Sequence, residues 1–299
     1  SLAKLNAVMD RNGGNWQEEY GWLVNPTIIV VDEAHRSVTA QYTQSLSQLG
    51  GAKRVADMTT PLLGLTATPF RGFNETETER LAGRYHRNLL NEGIFPDDDA
   101  YAYLQNEGVL ARVRHQELKG ADLVLTEAEK AHAQQMRRLP DTVEQRLGHD
   151  EARNSAIVDS ILALGEDETA LLFATSVDNA RALAALLTYH GVEARAVSSN
   201  TDPHARRRYV EDFKAKRVRV LTNYNVFTEG FDVPKVDAVI IARPTYSPNV
   251  YQQMIGRGLR GPLNGGKEEV LIVNVADNIT NYGETLAFRH FEHLWKQVG

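Results

Sequence analysis

The 299-residue sequence contains no cysteine. Disulfides and thiolate metal sites are therefore excluded. It also has no apolar run approaching the roughly 20 residues needed to cross a bilayer. The opening SLAKLNAVMD lacks an initiator methionine, a basic start and the apolar core of a secretory signal. No membrane partner is expected, and a cytoplasmic location is. An excess of positive charge is missing too, since the net charge is −6. That balance does not mark a nucleic-acid binder, nor does it exclude one, because binding depends on where the basic residues sit. Repeats and low-complexity tracts are absent. What remains is 42% hydrophobic and 24% charged residues, a globular composition long enough for one large or two ordinary domains.

Compact apolar runs alternate with helical patterns through the second half. TALLFAT (169–175) reads as a strand, and SVDNARALAALLTYHG follows it with Ala180, Leu183, Ala184 and Leu187 at helical spacing. Thr175 and Asp178 have capping-box spacing, and Gly191 marks a stop. Asp202-Pro203 opens a helix through Lys214, and Ser247-Pro248 opens another through about Leu259. VEARAVS, VRVLTN, DAVIIAR and EVLIVNVAD supply further strands. Strands that are apolar throughout and alternate with helices predict a parallel sheet covered on both faces, an α/β domain. The first 90 or so residues show the same grammar more thinly: strands TIIVV and LLGLTAT, with helices around Tyr42–Leu49 and Glu75–Tyr85. The charged stretch between the halves, with pieces such as LTEAEKAHAQQMRRL, reads as a helical connector. The C-terminal FRHFEHLWKQVG reads as an amphipathic helix.

Asp32 and Glu33 follow the aliphatic run Ile28–Val31. The carboxyl ends of strands in an open α/β sheet are where ligands sit. There one carboxylate can hold Mg²⁺ while its neighbour orients or deprotonates water. An isolated Asp-Glu would read as a polar turn, but LLGLTATPFRG ends a second strand in small hydroxyl residues, and NVYQQMIGRGLRG brings Gln253, Arg257 and Arg260 around a helix terminus. Arginine is always charged and offers two parallel hydrogen bonds to a phosphate.

VVDEAH, LTATP, LLFATSVDNA, LTNYNVFTEGFDVP and QMIGRGLR occur in the order and rough spacing of motifs II to VI of superfamily-2 helicases. The chain resembles a DEAH-type member, similar to bacterial DNA helicases of the RadD and XPB-like kind and to restriction-enzyme motor subunits. The resemblance implies two RecA-like lobes, the first over 1–92 and incomplete, the second over 151–299, joined by the connector at 93–150. It implies ATP and Mg²⁺ as cofactors and DNA, rather than RNA, as partner. Asp32 would then organise the metal, Glu33 would activate water, and His35, Thr66 and Thr68 would couple the nucleotide to the second lobe. Thr175, Ser176 and Thr228 would meet the nucleic-acid backbone. Gly230, Asp232 and Gln253 would face the nucleotide, with Arg257 and Arg260 as arginine fingers.

Helicases of this kind hold ATP phosphates in a loop of pattern G-x-x-x-x-G-K-[ST] upstream of the DEAH box. The sole near match, GPLNGGKE (261–268), has Glu268 where a metal-binding hydroxyl belongs. It also precedes a strand and follows the sixth motif, so it reads as a surface turn. The resemblance therefore implies the C-terminal part of a helicase core, inactive alone, whose partner is the missing N-terminal segment with the phosphate loop. Apolar surface on the first lobe should then lie uncovered. A helicase-like binding protein without ATPase activity, and one subunit of a split motor, are the alternatives. The arginine-dense stretch His204–Val220 is a second basic region, read equally as a solvated helix face or a binding surface.

Overall fold

The computed structural model describes residues 5–7, 16–66, 75–90, 94–96, 99–136, 138–226, 235–279 and 296–297, to which every structural statement below refers. The chain divides into two units, Ser1–Glu92 and Gly93–Gly299.

In the first unit β1 (Ile29–Asp32) runs parallel to β2 (Leu62–Leu65), with Ile29 opposite Leu62 and Asp32 opposite Leu65. Around them lie α1 (Trp16–Tyr20), α2 (Ala40–Leu49) and α3 (Glu75–Arg84). Alternation along β1 turns Ile29 and Val31 inward against Leu46 of α2, with Tyr42, Met58 and Leu62 completing a small core. Val30 and Leu65 remain 52% and 50% exposed. A sheet of two strands is near the lower limit of what packs stably, and the apolar exposure expected of this lobe is present.

The second unit is one parallel sheet of seven strands. They are β3 (Arg112–Leu123), β4 (Ala170–Phe173), β5 (Ala194–Val197), β6 (Val220–Asn223), β7 (Ala238–Ile241), β8 (Glu269–Ile279) and β9 (Lys296–Gln297), in the order β5-β6-β4-β7-β8-β3-β9. Helices α4 (Ala100–Asn106), α5 (Glu127–Met136), α6 (Asp141–Gly148), α7 (Glu151–Leu162), α8 (Val177–Tyr189), α9 (Pro203–Lys214) and α10 (Pro248–Ile255) connect and cover it. Leu172 and Ile240 face a core shared with α7 and α8, whereas Leu171, Val239 and Ile241 face one shared with α9 and α10. A strand whose successive side chains feed opposite cores is apolar throughout, which is why these runs were legible.

Four expectations are corrected. The helical connector is no separate piece, because β3 pairs with β8 along almost its whole length. Its strand sequence RVRHQELKGADL carries a charge or amide at half of its positions, so a strand near the sheet edge lacked the apolar run that marked the others. Ser176, not Thr175, caps α8, its Oγ accepting the Asn179 N–H at 3.0 Å. Thr175 instead lies in the bend after β4, wholly buried. Helix α10 stops at Ile255, where Gly256 caps it, short of Leu259. Residues 296–297, expected in a helix, form β9 against β3.

Candidate nucleotide and nucleic-acid site

β1 ends at Asp32, and the chain turns sharply there. Glu33 has φ 53° and ψ 50°, a left-handed conformation that costs a β-carbon-bearing residue. Asp32 Oδ1 accepts the Glu33 N–H at 2.9 Å and secures the turn. A single 3₁₀ turn, Ala34–Arg36, then carries His35 inward to 7% exposure. The β1–β2 register brings Thr66, just past β2, alongside: His35 Nδ1 lies 3.0 Å from Thr66 Oγ1 and 3.4 Å from Glu33 Oε2. Asp32, Glu33, His35 and Thr66 thus meet at one carboxyl edge, while Thr68 lies outside the described residues.

The donor set suits Mg²⁺. Asp32 is exposed with only one of its oxygens committed to the turn, and hard carboxylate oxygens are what this ion takes. Among the described residues no group of three or more metal-ligating side chains occurs. The ion would therefore rest on Asp32 and Glu33 and draw its other ligands from water and phosphate, as Mg²⁺ commonly does.

In the second unit α10 buries Tyr251, Met254 and Ile255 and leaves Gln253 half-buried beside them. Tyr251 Oη accepts from Asn274 Nδ2 at 3.1 Å, and that nitrogen lies 2.7 Å from His115 Nε2. Burial pushes the Tyr251 phenol far above its usual range, so it stays neutral. Past the helix, the backbone of Gly258 lies flat on the sheet, where a β-carbon would sit 2.7 Å from Val239 and 2.8 Å from Val270. The Leu259 carbonyl accepts from Ala111 N–H at 2.9 Å and the Arg260 carbonyl from Lys267 N–H at 3.1 Å. Gln253, Arg257 and Arg260 are thus carried on one helix and one pinned turn.

Thr175 does not reach the surface. It is fully buried, its hydroxyl finds no hydrogen-bond partner among the described residues, and a β-carbon on Gly148 of α6 would lie 2.8 Å from it. The nucleic-acid contact expected of its side chain is therefore not available in this arrangement, and Ser176 Oγ serves as a cap. Thr228, Gly230 and Asp232 lie outside the described residues.

GPLNGGKE is a turn. Its 3₁₀ segment Pro262–Asn264 packs on Gly108 and Val109, and Lys267 Nζ is bound to Asp237 Oδ1 at 2.7 Å. Burial pushes the Asp237 carboxyl up, but the Lys267 ammonium and two bonds from Thr169 outweigh it and leave the group below its usual range. A lysine so engaged, on a turn entering β8, forms no phosphate cradle.

Sequence reasoning missed a polar cluster at the carboxyl edge. Glu144 of α6 is 3% exposed, accepting from Tyr224 Oη at 2.9 Å and from Arg243 Nε at 2.8 Å. The only signal was Val143 and Leu147, which mark the inward stripe of α6 that Glu144 flanks.

A parallel sheet with helices on both faces defines the second unit as a RecA-like α/β lobe. The solved structure of Dbp5 from Saccharomyces cerevisiae bound to RNA and ADP BeF₃ shares this fold, with a TM-score of 0.52 at 16% identity, covering 92% of this chain and 60% of that one. Residues 153–261 match the helicase conserved C-terminal domain. It is 26% identical over 99% of its length to a 51.5 kDa protein of a Lactococcus phage (isolate 7-9). It is 27% identical over 83% of its length to the putative ATP-dependent helicase IRC3 of S. cerevisiae. The chain spans 60% of the first relative and 33% of the second.

Proposed function

We propose that the chain forms the part of an ATP-driven DNA helicase or translocase that carries the water-activating carboxylate and the arginine fingers. The observation that carries this is the Asp32–Glu33–His35–Thr66 cluster at a strand end, in a chain that also carries a helicase C-terminal domain. ATP would supply the phosphoryl bond to be broken, and Mg²⁺, which Asp32 would hold, would supply neutralisation of charge on the phosphate oxygens. Glu33 orients the attacking water and takes its proton at a carboxylate oxygen. His35, bonded to Thr66, links the carboxylate turn to the end of β2. Gln253 positions the nucleotide, while Arg257 and Arg260 donate to the phosphate oxygens as negative charge builds. The 299 residues contain no phosphate loop, so we place that cradle on polypeptide outside them. DNA as the track rests on the likeness of the motifs to the RadD and XPB-like DNA helicases.

The test is ATP hydrolysis with and without duplex DNA, single-stranded DNA or RNA, beside Glu33→Gln. Residues 1–299 alone should turn over no faster than the variant. Supplied with a lobe bearing the phosphate loop, they should show DNA-stimulated turnover that Glu33→Gln lowers by about 10²-fold or more. Stimulation by RNA alone would refute the choice of DNA. Turnover by the 299 residues alone, abolished by Glu33→Gln, would show that the cradle lies within them.

A further inference from the structure

One buried carboxylate in the second unit has no part in this chemistry. Burying an ionised group is costly unless its oxygens are bonded, and both oxygens of Glu144 are. Burial nonetheless outweighs the Arg243 charge and the two hydrogen bonds, leaving the carboxyl above its usual range. The two donors stand at strand ends: Tyr224 follows β6 directly, and Arg243 is two residues past β7. The Arg243 guanidinium lies 4.9 Å from the Tyr224 ring centroid and also donates to Asn225 Oδ1. Asn225 is held at φ 56°, in the left-handed region. The sequence runs from there into Thr228, Gly230 and Asp232.

Helix α6 is itself fixed on two sides. Val143 and Leu147 are fully buried in a small core with Leu125, Leu139 and Ile279. The Gly148 carbonyl accepts from Asn154 Nδ2 at 2.8 Å and from Asn179 Nδ2 at 3.0 Å, beside the end of β4. One short helix from the segment preceding the helicase C-terminal domain thereby grips three strand ends at the edge where ligands bind in such sheets. We infer that Glu144 is a positioning residue, holding Tyr224, Asn225 and Arg243 in the arrangement that couples nucleic-acid binding to ATP turnover. This rests on the motor function proposed above.

The experiment supplies the 299 residues with a lobe bearing the phosphate loop and compares their basal and DNA-stimulated ATP turnover with those of Glu144→Gln, alongside thermal midpoints. The expected result is that stimulated turnover falls by about tenfold or more, the scale of one lost charge-assisted hydrogen bond. Basal turnover should stay near the parent's, while the midpoint falls by only the few degrees that one lost buried bond costs. A lowered midpoint with both rates falling in proportion would reduce Glu144 to a structural role, and unaltered stimulation would also overturn the inference. If Glu144→Gln fails to fold, Tyr224→Phe, which removes a single hydroxyl, is judged by the same ratio of rates. A parent with no DNA-stimulated turnover would instead overturn the motor function, and the positioning role with it.

Discussion

At Gly64, in the middle of β2, two neighbours occupy the space a side chain would need. A β-carbon there would lie 2.7 Å from the Tyr85 ring and 2.8 Å from Ala34 Cβ, directly behind the turn that presents Glu33. Gly64→Ala should cost about 1–3 kcal/mol through overpacking, read as faster hydrogen exchange of the β1 amides. In the second unit Arg153 and Asp277 are both wholly buried, joined by Nε–Oδ1 at 2.7 Å and Nη2–Oδ2 at 2.9 Å. Removing one partner strands the other's charge, so Arg153→Met should cost about 3–5 kcal/mol. The urea midpoint of the second unit measures it. Asp237 gives a dependence on pH. Its folded pKa lies below its ordinary 3.8, so the unfolded chain binds more protons between the two values and stability rises with pH there. That contribution is complete above pH 3.8 and is lost as pH falls through the lower folded value. Asp237→Asn should therefore flatten the acid limb of thermal midpoint against pH.

Among the elements, β3 departs furthest from its sequence. It lies between β8 and β9, and Asp277 of β8 accepts the Ala121 N–H at 3.0 Å where the β3–β8 register shifts. An integral strand and a mere linker exchange their amides differently. The Arg112–Lys119 amides facing β8 should exchange only on global unfolding of the second unit. Exchange through local opening, independent of denaturant, would show a linker. For α10, helical spacing and the Ser-Pro start were readable, but its early end was not. The helix ends at Ile255 with Gly256 as its cap, and Gly258 then lies against Val239 and Val270.

Across the whole chain the two units differ in how much they bury. The second has cores on both faces of a seven-stranded sheet, whereas the first rests on a few residues around two strands. Residues 93–299 expressed alone should be folded and resist protease, while 1–92 alone should be digested rapidly. Equal resistance of both pieces would contradict this account of the first unit.

The sequence by itself determined the strand–helix alternation, the parallel sheet and the likeness of short patterns to helicase motifs. Each of these is written in contiguous residues: apolar runs, helical spacing, and short patterns such as VVDEAH and QMIGRGLR. Tertiary structure alone decided which residues near those motifs can act. Thr175 sits in a motif yet is sealed beneath Gly148, and Lys267 completes most of a phosphate-loop pattern yet is bound to Asp237. Glu144 belongs to no motif, yet it lies 80 residues from Tyr224 and 99 from Arg243 and bonds to both. Such contacts depend on which strand ends the sheet order brings together, and no local spacing encodes that.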